Sequence, residues 1–280
     1  MDLYGVIGWP IEHSLSPAMH NAAFKALDIE ATYEKIPVKP EDLEDFLLTR
    51  QEVKGFNITI PHKVRAKKIL ERIGKTDSDF ADLCGAINAA RRGGSEIYYT
   101  NTDAPGFLAS LKEDLNFDPK DKNILLIGCG GAGRAIIAGL VGGDKSCARI
   151  YAYDENEAVA ESCRNVFLRF KQLKIIPHGE MNKIVADCQL LVNATPIGMK
   201  EGDAAAADKD ILHKDLSVYD VVYNRDTELV KLARSRGSKA VNGLGMLLYQ
   251  GVMSLEFWLD SSVPQDVIDV MRNALNNALP

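Results

Sequence analysis

Asn123-Ile124-Leu125-Leu126-Ile127-Gly128-Cys129-Gly130-Gly131-Ala132-Gly133 decides how this chain folds. Residues 124–127 form an apolar run with no polar alternation, the pattern of a strand buried on both faces of a sheet. Gly128, Gly130 and Gly133 fit G-x-G-x-x-G, and residues 134–141 follow with apolar side chains at helical spacing. Strand, glycine turn and helix in that order make a pyrophosphate site. The first glycine permits the tight turn, the second lets the backbone approach the phosphates, and the third lets helix and strand pack closely. Free N–H groups and the positive dipole end of the helix meet the negative charge. Arg149–Tyr153 then reads as a second apolar strand and ends at Asp154, 21 residues beyond Gly133. A nucleotide fold sets there the acid that binds a ribose 2′-hydroxyl. A glycine turn with a surface aspartate after it would look the same locally, but the surrounding order of elements favours a dinucleotide.

Composition narrows the rest. The chain has 280 residues, 46% hydrophobic and 26% charged, which suits one large globular domain or two medium ones. A net charge of −6 gives no basic footprint for nucleic acid. No apolar run approaches the ~20 residues that span a bilayer, so no membrane contact is expected. The N-terminus, Met-Asp-Leu-Tyr-Gly-Val-Ile-Gly, lacks the basic and apolar regions of a signal peptide. The five cysteines, at 84, 129, 147, 163 and 188, form no CxxC pair. They read as reduced cytoplasmic thiols, with no disulfide framework and no metal site. Cys129, inside the glycine turn, reads as a small packing residue.

Ahead of the glycine turn, residues 3–7 read as a strand, and Ser16-Pro17 as the N-cap and first-turn proline of a helix. Ser14 and Ser16 are either loop and cap, or two hydroxyls at a helix start beside a bound polyol or carboxylate. Residues 31–36 and 55–60 read as further strands, with a surface helix at 40–48 between them. The strand at 55–60 runs into Pro61-His62-Lys63 and a basic helix, 64–73. Asn57, Thr59 and Lys63 therefore gather at the C-terminal end of a strand, where open α/β sheets bind ligands. A lysine at a helix start opposes the dipole, which asks for a functional explanation. His62 reads as structural.

A helix at 77–83 leads through Gly85-Ala86-Ile87-Asn88-Ala89 into a hairpin whose second strand, 97–100, closes at Asn101-Thr102-Asp103. Asp103 is either the cap of the next helix or a carboxylate that meets Lys63 and forms an acid/base pair. After a polar linker at 116–122 come the glycine turn and its helix. A helix within 154–170 and a short strand at 175–176 follow. The strand at 189–193 ends with Asn193 and Thr195 facing a cofactor if the sheet is doubly wound. The remaining elements are a strand at 217–222 with Tyr223 just past it, a helix at 227–236, a strand at 239–241, and two helices from Asn242 and Pro264. Gln250 is the polar member of an apolar helical stripe and the one placed to reach a ligand.

Together these residues resemble the shikimate dehydrogenase family, including its quinate/shikimate branch, over nearly the whole chain. Ser14-Leu15-Ser16-Pro17 is similar to its S-x-S-P motif, and Asn57-Ile58-Thr59-Ile60-Pro61-His62-Lys63 to its N-[VI]-T-x-P-x-K. Gly85-Ala86-Ile87-Asn88 matches G-A-x-N, Asn101-Thr102-Asp103-x-x-Gly106 matches N-T-D-x-x-G, and residues 128–132 match G-x-G-G-A. The segment Val221-Val222-Tyr223-Asn224 and the run from Asn242 to Gln250 resemble its closing motifs. Two places depart. Ala89 replaces the usual threonine after G-A-x-N. Tyr153-Asp154-Glu155 stands where members using NADP carry Asn-Arg-Thr. The arginine of that pattern pairs with a 2′-phosphate, which Asp154 and Glu155 would repel, so NAD is the expected cofactor and NADP the other candidate.

The resemblance implies an α/β protein of two domains with the active site in the cleft between them. An N-terminal α/β substrate domain would take residues 1–103 and 242–280. A Rossmann-type doubly wound parallel-sheet nucleotide domain would take 104–241. Lys63 and Asp103 would be catalytic. Ser14, Ser16, Asn57, Thr59, Asn88, Tyr223 and Gln250 would bind shikimate, or quinate. Gly128, Gly130, Gly131, Ala132, Gly133, Asp154, Asn193, Thr195, Val221 and Gly243 would hold the dinucleotide. An aminoshikimate or other cyclic-polyol dehydrogenase, and a non-catalytic NAD-binding regulator, stay open, as does the choice of monomer or homodimer.

Overall fold

Residues 1–76, 78–142 and 146–279 are described by a computed structural model. The chain divides into two units, Met1–Gly106 with Leu248–Leu279, and Phe107–Leu247. These divisions fall a few residues after the expected ones at 103 and 242. Each cuts a continuous helix, so no composition change marks it.

The first unit begins with β1 (Asp2–Gly8), α1 (Ser16–Ala26), β2 (Ala31–Pro37), α2 (Leu43–Thr49) and β3 (Val53–Ile58). It continues with α3 (Lys63–Leu70), α4 (Asp79–Cys84), β4 (Ala89–Gly93), β5 (Glu96–Thr100) and the start of α5 (Asp103–Glu113). Its sheet has the order β2-β1-β3-β4-β5. β1 runs parallel to β2 and β3, and β4 and β5 add an antiparallel hairpin. Ile7, Phe56, Ile58, Leu43, Leu47 and Leu70 are buried in one core between sheet and helices. Burying such side chains contributes about 2 kcal/mol each. The third strand stops at Ile58 rather than Ile60, because His62 N–H turns back to Thr59 O. Asp77 and Pro280 lie outside the described residues. α4 starts two residues after Asp77, with Ser78 Oγ accepting the Ala81 N–H as its cap.

The second unit holds β6 (Asn123–Ile127), α6 (Gly131–Val141), β7 (Arg149–Tyr153), α7 (Glu157–Val166), β8 (Leu173–Ile175) and α8 (Met181–Ile184). Then come β9 (Leu190–Asn193), β10 (Ser217–Asp220), α9 (Glu228–Ser235), β11 (Ala240–Val241) and the start of α10 (Leu244–Leu259). α11 (Gln265–Ala278) returns to the first unit, where it packs on α1. The second sheet has the order β11-β10-β9-β6-β7-β8, and every described pairing in it is parallel. This is the doubly wound arrangement, whose strand order reverses beside β6. The buried run at 124–127 explains why: a central parallel strand is covered on both faces. The five cysteines are free and buried. Among the described residues, no helix is long and apolar enough to cross a membrane.

Candidate active site

In the first unit the chemistry-bearing side chains are tied to one another. Lys63 is the first residue of α3 and Asp103 the first of α5. Lys63 Nζ donates to Asp103 Oδ2 at 2.5 Å, and the side chains are 14% and 5% exposed. That shielding makes the attraction stronger than in a surface pair. Asp103 does not cap its helix; Asn101 Oδ1 accepts the Ala104 N–H instead. The carboxylate is thereby free for the lysine.

Asn88 is the hub. Its two Nδ2 hydrogens are shared among Asp103 Oδ1 (3.0 Å), Thr102 Oγ1 (2.8 Å) and Gln250 Oε1 (3.1 Å), and its Oδ1 accepts the Thr102 N–H (2.7 Å). Thr102 Oγ1 lies 3.0 Å from Ser254 Oγ. Asn57 Nδ2 donates to Ser254 Oγ (2.8 Å) and Asn88 O (3.2 Å), while Tyr33 Oη donates to Asn57 Oδ1 (2.7 Å). A Cβ on Gly106 would meet Gln250 N at 2.7 Å, so the glycine of Asn101-Thr102-Asp103-x-x-Gly106 lets α5 and α10 approach. His62 Nε2 lies 2.7 Å from Val38 O, and burial lowers its pKa, which suits a neutral structural ring. Burial brings His20 down to about 3, so it stays uncharged where it stacks on Tyr33.

Ser16 is not the N-cap. Leu15 takes that position without a side-chain cap, and Ser14 Oγ accepts the Ser16 N–H at 3.3 Å. The proline at the helix start has no N–H, so one donor fewer needs a partner there. Thr59 is half-buried just past β3, two residues beyond Asn57. No described contact joins Ser14, Ser16 or Thr59 to the network, in which the Lys63 ammonium, the Asp103 carboxylate, the Asn88 and Gln250 amides and the Thr102 and Ser254 hydroxyls meet. Such a set can bind hydroxyls and move a proton.

The second unit offers backbone where the first offers side chains. Gly128 has φ +102°, and a Cβ on it would meet Ala194 O at 2.8 Å and Thr195 Cγ2 at 2.9 Å. A Cβ on Gly133 would lie 2.0 Å from Gly128 O, whereas one on Gly130 would meet nothing within 4 Å. Two glycines thus serve packing, and the middle one leaves room for a ligand. The helix begins at Gly131, earlier than the apolar spacing predicts, so Gly131, Ala132 and Gly133 form its first turn and aim N–H groups outward. No acidic side chain lies in that turn. A pyrophosphate fits this cradle.

Asp154 follows β7 beside it. Its Oδ2 accepts the Cys129 N–H (2.8 Å) and its Oδ1 the Asn156 N–H (2.9 Å). Lone pairs remain on both oxygens, and among the described residues no cation bonds to Asp154 or Glu155. Asn193 departs from expectation. Its Nδ2 donates to Asp220 Oδ1 (2.9 Å) and Ile197 O (3.2 Å), and its Oδ1 accepts from Thr195 N (3.1 Å) and Thr195 Oγ1 (2.6 Å). Both ends of the amide are occupied within the protein, so Asn193 shapes the loop rather than facing a ligand. Val221 N–H bonds to Asn193 O, and a Cβ on Gly243 would meet Val221 O at 2.2 Å. Tyr223 is half-buried just past β10.

Tyr33, Thr102, Ser254, Asp220 and Thr227 complete these networks and were not singled out by sequence. Only Asp220 carried a local signal: a carboxylate inside the apolar run Val-Tyr-Asp-Val-Val.

Residues 6–90 match the model of the shikimate dehydrogenase substrate binding domain, and residues 243–275 that of the shikimate 5′-dehydrogenase C-terminal domain. A shikimate dehydrogenase (NADP(+)) of Methanopyrus kandleri is 38% identical over 98% of this chain and 94% of its own. The crystal structure of shikimate dehydrogenase from Aquifex aeolicus superposes with TM-score 0.85 at 33% identity, covering 97% of each chain. That of shikimate 5-dehydrogenase from Listeria monocytogenes, in complex with shikimate and NAD, does so with TM-score 0.83 at 30% identity, covering 98% of this chain and 96% of its own.

Proposed function

The chain belongs to the shikimate dehydrogenase family, and we propose that it interconverts shikimate and 3-dehydroshikimate with NAD as the preferred dinucleotide. It is an NAD(P)-dependent oxidoreductase acting on a CH–OH group. One observation carries the catalytic assignment: Lys63 and Asp103 form a shielded pair, and Asn88 fixes the far oxygen of the carboxylate.

When bound, the nicotinamide accepts or donates the hydride at the C3 carbon. The protein handles the proton. In oxidation Lys63 first releases a proton to solvent, and its neutral amine then takes the C3 hydroxyl proton, with Asp103 holding the ammonium that re-forms. In reduction Lys63 returns it to the developing alkoxide, whose negative charge the ammonium stabilises. Asn88 Nδ2 only donates toward Asp103 Oδ1, so the proton leaves by way of Lys63 and not inward through the amide. Ser14 and Ser16 hold the ring carboxylate. Asn57, Thr59, Asn88, Asp103 and Gln250 bind ring hydroxyls. Gly128, Gly130, Gly131, Ala132 and Gly133 would cradle the pyrophosphate, with Thr195, Val221 and Gly243 along the same sheet edge.

Support for NAD comes from Asp154 and Glu155. Two carboxylates without a cation suit a free 2′-hydroxyl and oppose a 2′-phosphate. Several relatives carry NADP(+) in their names, and the Listeria structure holds NAD. Five free thiols fit the reducing cytoplasm, where we place the reaction. The test is initial rates of shikimate oxidation with NAD and with NADP, each titrated, with quinate in parallel. A higher kcat/KM with NAD is expected, and turnover of quinate would add the catabolic branch. A clear preference for NADP would overturn the cofactor assignment. Failure to oxidise shikimate with either would overturn the substrate.

A further inference from the structure

Asp220 is a buried carboxylate that the reaction above does not use. It ends β10 with no exposed surface. An ionised carboxylate in such a place is held by strong hydrogen bonds or is not tolerated. Here donors from separate stretches hold it. Asn193 Nδ2 (2.9 Å) and the Val222 N–H (3.1 Å) meet Oδ1, and Thr227 Oγ1 (2.7 Å) donates to Oδ2. The two side-chain donors do further work. Thr227 Oγ1 accepts the Val230 N–H at the start of α9. Asn193 Oδ1 accepts both the N–H and the hydroxyl of Thr195.

We propose that Asp220 is a positioning residue for dinucleotide binding, because its carboxylate turns the Asn193 amide so that Thr195 is clasped against the glycine turn. The proposal rests on reading this unit as the dinucleotide's holder. Its logic is one of orientation. A carboxylate accepts only, so Asp220 takes one amide N–H, Ile197 O takes the other, and together they turn the amide oxygen to Thr195. Thr195 Cγ2 already lies within 2.9 Å of the point a Cβ on Gly128 would occupy. A shift of Thr195 therefore reaches the turn that cradles the phosphates. The same carboxylate ties the loop after β9 to the loop after β10, which carries Val221 and Tyr223.

The charge state supplies a readout. Burial pushes Asp220 up to about 6. Its hydrogen-bond partners Asn193, Val222 and Thr227 carry no charge. The titratable neighbour is Tyr219, whose buried phenol is held well above its ordinary value and stays neutral from pH 5 to 8. Protonation removes the charge from the three bonds and makes Thr227 give up its own donation, which loosens the clasp. Asparagine at this position is nearly isosteric with the protonated acid.

The experiment is calorimetric titration of NAD into the full chain between pH 5 and 8, for wild type, Asp220→Asn and Asp220→Ala, with steady-state KM for both substrates. NAD should bind wild type more weakly as pH falls through about 6. Asp220→Asn should bind it about fivefold more weakly than wild type at pH 8, match wild type at pH 5, and show no inflection between. Asp220→Ala should lose about 25-fold, twice the effect in free energy. In both variants the loss should fall on the dinucleotide's KM and leave that of shikimate near wild type. An Asp220→Asn profile that follows wild type, or an equal rise in both KM values, would overturn the proposal. If Asp220→Ala does not fold, the Asp220→Asn profile decides alone. Wild type that binds no dinucleotide at any pH is a different result: it removes the parent reading without any variant.

Discussion

The two units build their sites from opposite materials. In the first, side chains reach side chains: Lys63, Asp103, Asn88, Gln250, Thr102, Ser254, Asn57 and Tyr33 form one connected, mostly buried set. In the second, the surface we propose for the dinucleotide is main chain around Gly128, Gly130 and Gly133, with buried side chains such as Asp220 behind it. The difference follows from what each ligand asks. Ring hydroxyls and a moving proton need donors and acceptors at fixed points, which side chains supply. A pyrophosphate needs close approach and a field of N–H groups, which a glycine turn at a helix start supplies. The first site should therefore fail by loss of a functional group, and the second by gain of a Cβ.

The largest effect should come from the proton-handling pair. Lys63→Ala should lower kcat by about 10³-fold, with shikimate binding within a few-fold of wild type. Steady-state kinetics with calorimetry of shikimate separates the two. Near-normal turnover would remove the distinction at its strongest point.

Charge sharpens the contrast next. The first site pairs its carboxylate with Lys63, whereas Asp220 is buried without a cation. Its pKa is raised by burial from 3.8 to about 6. A raised acid favours the native state while protonated. Its contribution is complete below about 3.8 and is lost as pH rises through about 6. At roughly 1.4 kcal/mol per unit this comes to about 3 kcal/mol. Asp220→Asn removes the ionisation, so its unfolding free energy relative to wild type should rise by about that amount between pH 4 and 7. Denaturant melts at the two pH values check it, and a difference that stays flat would mean that the buried charge carries no such cost.

A Cβ tests the backbone site directly. Gly130→Ala adds a methyl where nothing lies within 4 Å. Stability should hold, while NAD affinity falls about tenfold or more. Gly133→Ala sets its Cβ against Gly128 O. That variant should lose stability as well as binding. Unchanged NAD affinity in Gly130→Ala would show that the open space at Gly130 is not where the ligand lies.

How much of this was legible follows the same division. The glycine turn is local: its residues are consecutive, their roles are set by geometry, and the strand beneath announces itself as 124–127. Lys63, Asp103, Asn88 and Gln250 stand out as polar residues at strand ends or in an apolar stripe. Tyr33 and Ser254 do not. Tyr33 lies inside a strand, away from its C-terminal end, and Ser254 sits on a helix among Leu and Met. Their partner Asn57 is 24 residues from one and 197 from the other. Contacts at that separation leave no spacing for a sequence to display. Ser16 was misplaced for a different reason: a serine before a proline has the look of a cap, and only the start of the helix at Ser16 itself moves that position back to Leu15.

Tyr33 gives the finest test, because it belongs to the side-chain site without touching the proton-handling pair. Asn57 has little left to offer a ligand. Both its N–H groups serve Asn88 O and Ser254 Oγ, and one lone pair of Oδ1 takes the Tyr33 hydroxyl. No amide N–H remains, so a substrate group meeting Asn57 must donate. Tyr33→Phe keeps the ring that stacks on His20 and removes the hydroxyl that fixes this oxygen. It should cost about 1 kcal/mol of stability and raise the KM for shikimate about fivefold, with the KM for NAD unchanged. A loss of stability without a change in KM would make Tyr33 a core residue and Asn57 a brace, and the hydroxyl contact would have to come from Thr59 or Gln250 instead.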